Sequence, residues 1–288
     1  SLLGTNTFAG AVTVNGGTLV FGNTCSNVTG AITLNNASSM VFSGPALNNN
    51  SAVTINNTGK AMYAAGTTNT TGSITVNGGL LDFDVGSTNT IGAITSKAGS
   101  LVVIDGSTSL GVNTFTVGNA GGDRPMLLVT TNATFNKLFI GNAQNAAGSV
   151  IQSGGTFIVG YTNISTDVLS VGNSGGYGYY RLNAGTLATG QFGITGGGAG
   201  ANNCVVDLVD GTAACTATNG WLIWGWSGGN GVLNLFNASL AAPPGGNDTT
   251  FAYAASRGSF GMLNLLGPRA VLNATGGGTA RGVNMALS

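Results

Sequence analysis

The sequence predicts an all-β protein, a parallel β-solenoid of about twelve coils with essentially no α-helix. Three observations carry that prediction. A short segment returns with its lead apolar residue at Val12, Ile32, Val53, Ile74 and Ile94, a step of 20 to 21 residues. Apolar residues alternate with period two inside each return. The 51 glycines suit tight corners that need positive φ or close backbone approach.

The five short units read GAVTVNGGTLVFG, GAITLNNASSMVFSG, SAVTINNTGKAMYAAG, GSITVNGGLLDFDVG and GAITSKAGSLVVIDG. In the first, Val12 and Val14 share one face and Ala11, Thr13 and Asn15 the other, which is a strand with one buried side. A turn such as NGG or NNT leads to a second short strand. Its expected inward residues are Leu19 and Phe21, then Met40 and Phe42, Met62, Leu81 and Phe83, and Leu101 and Val103. Thr13, Thr33, Thr54, Thr75 and Thr95 are expected to form an outward column. The columns flanking it are Ala11, Ala31, Ala52 and Ala93, and Asn15, Asn35, Asn56 and Asn77. Threonine arrays on flat solenoids can bind ice, but that form needs two Thr columns on one strand, and here one stands beside Ala.

From Phe115 a longer unit takes over, starting at FTVGN (Phe115), LFIGN (Leu138), LSVGN (Leu169), FGITG (Phe192), LIWGW (Leu222), FAYAA (Phe251) and a clipped VNMAL (Val283), with spacings of 23 to 32 residues. The chain therefore divides into residues 1–108 with short repeats and 109–288 with long ones, in one continuous solenoid. No unit can bury its apolar face alone; stacking buries it. Twelve coils correspond to roughly 55 to 60 Å of axis at about 4.8 Å per coil.

Composition narrows the function. The 288 residues are 42% hydrophobic and only 6% charged, with no His and a formal net charge of zero. The eight Lys and Arg stand singly, without the basic stripe that nucleic-acid binding leaves. No apolar run approaches the roughly 20 residues of a membrane span. Three cysteines without His provide fewer ligands than a zinc site needs, and no motif asks for a cofactor or a metal. Cys204 and Cys215 are the expected disulfide pair of an exported protein, leaving Cys25 unpaired; three packed thiols are the alternative reading.

LLGTNTFAGAVTVNGGTLVFGN, residues 2–23, resembles the autotransporter-associated β-strand repeat, with its Gly-x-Asn-Thr-aromatic, Gly-x-Thr-Val and Gly-Gly-Thr-Leu pattern. The longer units, with Val117 to Asn119, and Val171 to Asn173 followed by Gly185, Thr186 and Leu187, are similar to the repeat shared by type V secretion and PEP-CTERM-sorted proteins. The resemblance implies export, a right-handed β-solenoid and an extracellular or cell-surface setting. It implies no catalytic residues.

Candidate chemistry is sparse. Asp82 and Asp84, near Asp105 one coil on, are the nearest approach to the clustered carboxylates of polysaccharide-cleaving β-helices, and they also read as solvated acids on an outer face. Asp207 and Asp210 are spaced to lie on opposite faces. In NGWLIWGW, Leu222 and Trp224 fall inward, Trp224 stacking with Val171, Ile194 and Tyr253, while Trp221 and Ile223 fall outward and Trp226 at a corner. An exposed Trp221, Ile223 and Trp226 patch, or the Tyr177, Tyr179 and Tyr180 of GYGYY, is a contact site for another subunit or for a glycan ring.

The ends of a solenoid are unpaired strand edges that recruit another chain unless covered. This chain begins and stops inside a repeat, so its expected partner is itself, in a head-to-tail contact that does not close and so gives a filament. The expected function is a structural subunit of an extracellular filament or cell-surface fibre, not an enzyme. The alternatives are a glycan-binding surface adhesin or autotransporter passenger stalk, and a polysaccharide-degrading β-helix enzyme.

Overall fold

The computed structural model describes the chain except for residues 3–5, 9, 23–25, 44–46, 85, 107–108, 161–167, 197–202, 218–219, 227, 244–248, 254–259, 274–283 and 286–288. The described residues form strands and turns with no helix, and all pairings between strands are parallel. Each coil visits three faces in turn. The third face is an 11-stranded sheet running from Thr18–Phe21 to Phe260–Leu266. The first and second faces belong to a 19-stranded sheet, because five strands, such as Thr68–Asn77 and Thr88–Lys97, run through both.

Gly72 and Gly92 mark the bend inside these long strands. A Cβ on Gly92 would lie 2.3 Å from the Gly72 carbonyl oxygen, so the coils could not close up there with any other residue. From Thr156–Val159 onward, first-face and second-face strands are separate, and connecting chain enters at that corner. The solenoid passes without interruption from short units to long ones: Thr88–Lys97 pairs with Ser109–Val117.

The expected parallel β-solenoid is therefore the fold, with a smaller coil count. The third face carries eleven strands rather than twelve, because the clipped unit at Val283 contributes only the two-residue strand Asn284–Met285 among the described residues. On the second face the register of the short units is as expected: Thr13, Thr33, Thr54, Thr75 and Thr95 pair in sequence, and the column runs on to Thr116. Beside it, the side-chain amides of Asn35, Asn56 and Asn77 donate in turn to Asn15, Asn35 and Asn56 at 2.8–2.9 Å.

The core is a set of inward columns. Phe21, Phe42, Tyr63 and Phe83 stack with centroids 4.9–5.1 Å apart, a favourable ring geometry in addition to the area buried. Phe115, Phe135 and Phe157 continue on the other sheet, edge to face, at 5.0–5.5 Å. Two expected inward strands are a residue out of register. In Lys60–Tyr63 the inward pair is Ala61 and Tyr63, and in Leu101–Ile104 it is Val102 and Ile104; Met62, Leu101 and Val103 face outward. KAMY and LVVI carry apolar residues on both sides, so alternation alone does not choose, and the aromatic ladder does.

One inward column is polar. Asn6, Asn27, Asn48, Asn69 and Asn89 pair in register. Asn69 and Asn89 are fully enclosed. Asn69 donates to Asn89 Oδ1 (2.8 Å) and Thr67 Oγ1 (3.0 Å), and Asn89 donates to Ser87 Oγ (2.9 Å). Buried amides of this kind are stable only when bonded, and between Asn69 and Asn89 the ladder supplies that partner from one coil to the next.

Candidate functional site

The outer side of the third face is where the chemistry collects. Its outward positions in the middle coils are mostly apolar, Met62, Leu80, Leu101, Val103, Met126, Leu128 and Ile151, with Lys60, Asp82 and Ser149 among them, all partly or openly exposed. Further along, the same face carries Tyr177 and Tyr179 on the strand Tyr177–Leu182, flanked by Ala147–Gln152 and Asn203–Leu208. There the surface sinks into a groove of about 410 Å3 lined by Arg124, Pro125, Ser149, Tyr177, Tyr179, Asn203 and Val205, among others.

Two of the lining groups are held by hydrogen bonds to their neighbours. Arg124 Nη1 donates to the carbonyl oxygens of Asp123 (2.6 Å) and Asn145 (3.1 Å). The Asp123 carboxylate, nearly buried, is taken up by three backbone N–H groups, of Ala98, Asn119 and Ala120, at 2.8–2.9 Å. The Tyr179 hydroxyl donates to Asp207 Oδ2 at 2.9 Å, and Asp207 Oδ1 accepts from Asn234, which accepts from Asn264. Burial, with the Asp207 carboxylate beside it, raises the Tyr179 hydroxyl above its ordinary range, so it stays a neutral donor.

The structure separates the expected tyrosine trio. Tyr177 is 38% exposed and Tyr179 half-buried, but Tyr180 is fully buried, because alternation along the strand turns it inward. Its hydroxyl donates to the buried Gln152 Oε1 (2.6 Å), and its ring lies parallel to Phe157. Tyr180 is therefore a core residue.

The expected Trp221, Ile223 and Trp226 patch is corrected as well. Ile223 is 6% exposed, Trp221 is half-buried, and the Trp226 side chain lies outside the described residues. The outward positions of the second face are enclosed in these coils: Ser170 is 3% exposed and Gly193 buried. Facing outward is not the same as being accessible. Trp224 is core as expected and stacks after Val171 and Ile194, but its next partner is Phe251; Tyr253 pairs with Trp226. The sixth long unit thus starts two residues before the apolar Phe251 that marked it.

Cys204 and Cys215 are not joined to each other, and both are buried. Cys204 opens a third-face strand and Cys215 closes the first-face strand after it, with the corner at Asp210 and Gly211 between them. Cys204 fills a slot in a column of glycines, between Gly178 and Gly231. A Cβ on Gly172, at φ 74°, would fall on its sulfur. Burial pushes the Cys215 thiol up to about 12, which keeps it a packed hydrophobe. Cys25 lies outside the described residues.

Asp82 faces outward between Met62 and Val103. Burial, then the nearby Asp105 and Asp84, raises its carboxyl above the ordinary value. Asp207 and Asp210 are used structurally, the first in the ladder beside Tyr179, the second in an exposed ion pair with Arg269 at 3.0 Å. Among the described residues no three His, Cys, Asp or Glu side chains converge as metal ligands, and no helix is long and apolar enough to cross a membrane.

Fold and surface together define a β-solenoid repeat protein with one apolar, groove-bearing flank. Compared with protein-family models, with curated proteins and with solved structures, the chain shows no match.

Proposed function

We propose that this chain is a structural subunit of an extracellular filament or cell-surface fibre, continued head to tail by further copies. The observation that supports it most is the state of the inward columns at the two ends of the described stack. In the third-face strand Phe260–Leu266, the inward Leu265 is 50% exposed, beside Leu266, Met262 and Phe260 on the surface. At the other end Val12, Val14 and Leu19 are only partly buried, whereas Ile32, Leu34 and Met40 one coil on are fully enclosed. Apolar strand edges recruit further strands, and joining two of them head to tail is a heterologous contact that propagates. A net charge of zero offers no repulsion against it. The likeness of the units to autotransporter-associated repeats favours the same setting outside the cell. In this reading the protein is not an enzyme; its work is done by backbone ladders and apolar columns.

Light scattering over a concentration series tests the proposal. The mass is expected to grow with concentration without a fixed end point, and Leu265→Asp to hold the protein as a folded monomer. A monomer mass at every concentration contradicts it. A second reading, a surface adhesin or passenger stalk that binds glycans, is favoured by the groove at Tyr177 and Tyr179.

A further inference from the structure

The groove on the third face is lined by positive charge without negative. Of its lining residues one is positive, Arg124, and none is negative. The nearest carboxylate in the chain, Asp123, is bonded to three backbone N–H groups, turned to the turn it holds. Asp207, on the same outer side one coil on, is outside the lining and is bonded to Tyr179 and Asn234. Arg124 is exposed and anchored through Nη1 alone to two carbonyl oxygens. A guanidinium has five N–H donors in a planar fork that matches a carboxylate.

The walls name the rest of the ligand. Tyr177 and Tyr179 are alternate residues of one strand, so they stand about 7 Å apart on the same side of the sheet. Aromatic rings with a polar tip stack on the C–H faces of sugar rings and hydrogen-bond their hydroxyls. Ser149 and Asn203 add hydroxyl and amide groups at the margin. The volume, about 410 Å3, is that of a small-ligand site. A peptide strand has no purchase here, since the groove lies on the face of a sheet whose backbone is already paired on both sides.

We propose that this groove binds a carboxylated sugar, a hexuronate unit of an acidic polysaccharide, its ring on Tyr177 and Tyr179 and its carboxylate on Arg124. The inference rests on the glycan-binding reading and narrows it to one class of saccharide. It is independent of end-to-end assembly, because the groove is on the flank.

Titration calorimetry of the full chain with a galacturonate hexamer, a hyaluronan hexamer and the neutral maltohexaose tests it. At least one acidic hexamer is expected to bind at least about tenfold more tightly than maltohexaose, and more weakly as salt is raised. Arg124→Gln is expected to remove about tenfold or more of that affinity, the usual weight of a charge-assisted hydrogen bond. Arg124→Lys should retain more of it, and Tyr177→Ala should lose about three- to tenfold. Arg269→Gln, an exposed residue away from the groove, should change nothing. Equal binding of maltohexaose, or an Arg124→Gln variant with full affinity, overturns the acidic class while leaving a glycan site. Failure of all three hexamers to bind overturns both.

Discussion

The second and third faces share one backbone arrangement and carry opposite chemistry on their outer sides. On the second face of the short units, Thr13 to Thr116 and Asn15 to Asn77 run as polar columns, and the asparagines bond from coil to coil. On the third face of the middle coils, Leu80, Leu101, Val103, Met126 and Leu128 face solvent with no such ladder, and outward polar ladders stand further along that face, at Asp207, Asn234 and Asn264 and at Asn203 and Asn230. Outward side chains on the second face hold neighbouring coils to one another. Outward apolar residues on the third add little to the fold and leave a contact surface. Both faces are equally committed inward, where Val53, Ile74 and Ile94 match Leu81, Phe83 and Val102 in complete burial.

The sharpest way to break that comparison is on the inward side. Val53→Asp places a charge in an enclosed column, and is expected to cost about 4 kcal/mol or more. Thr54→Asp next to it faces out and should cost under about 1 kcal/mol. Chemical denaturation of the two variants checks this, and equal tolerance would mean that the second-face register is wrong. A smaller effect separates the outer sides. Asn56→Ala removes both its ladder bonds, to Asn35 and from Asn77, and should cost about 1–2 kcal/mol. The pair Leu101→Ser and Val103→Thr on the third face should change the denaturation midpoint little. It should instead weaken retention on a hydrophobic-interaction column.

The smallest effect is pH-dependent. The Asp82 carboxyl has its folded-state pKa raised by burial and by Asp105 and Asp84, so the folded protein holds that proton to higher pH than the unfolded chain does. Stability from this group is therefore full below the ordinary value of 3.8 and lost as pH rises through the raised one. Asp82→Asn is expected to raise the melting temperature at neutral pH and to leave it unchanged below that value. A stabilisation of the same size at both pH values would contradict it.

Much of the fold was legible because a 20- to 21-residue return with alternating residues fixes both the stacking and which side of VTV or ITL is buried. Where both sides of a strand are apolar, as in KAMY and LVVI, the pattern carries no sign, and Met62, Leu101 and Val103 were expected inward for that reason. The internal asparagine column was illegible for the opposite reason: Asn69 and Asn89 are polar yet buried, and their stability depends on partners one coil away. Of the candidate site, Tyr177 and Tyr179 could be read from GYGYY. Arg124 lies 53 residues before Tyr177 in the chain, and only the stacking of coils brings it into the same groove. Ile223 failed as a surface residue because the period gives a direction and not what lies across from it.

Cryo-electron microscopy of the assembled protein, with helical reconstruction, tests the central claim most directly. End-to-end stacking of a solenoid with eleven strands on the third face and twelve on each of the others predicts an axial rise of roughly 53 to 58 Å per subunit at about 4.8 Å per strand. The strand spacing should continue unbroken across each junction and bring Leu265 of one copy into the column that Phe21 begins in the next, against the Leu2 and Leu19 edge. Discrete rods of a single subunit, or fibres joined side by side through the third face with both strand edges open, would contradict it.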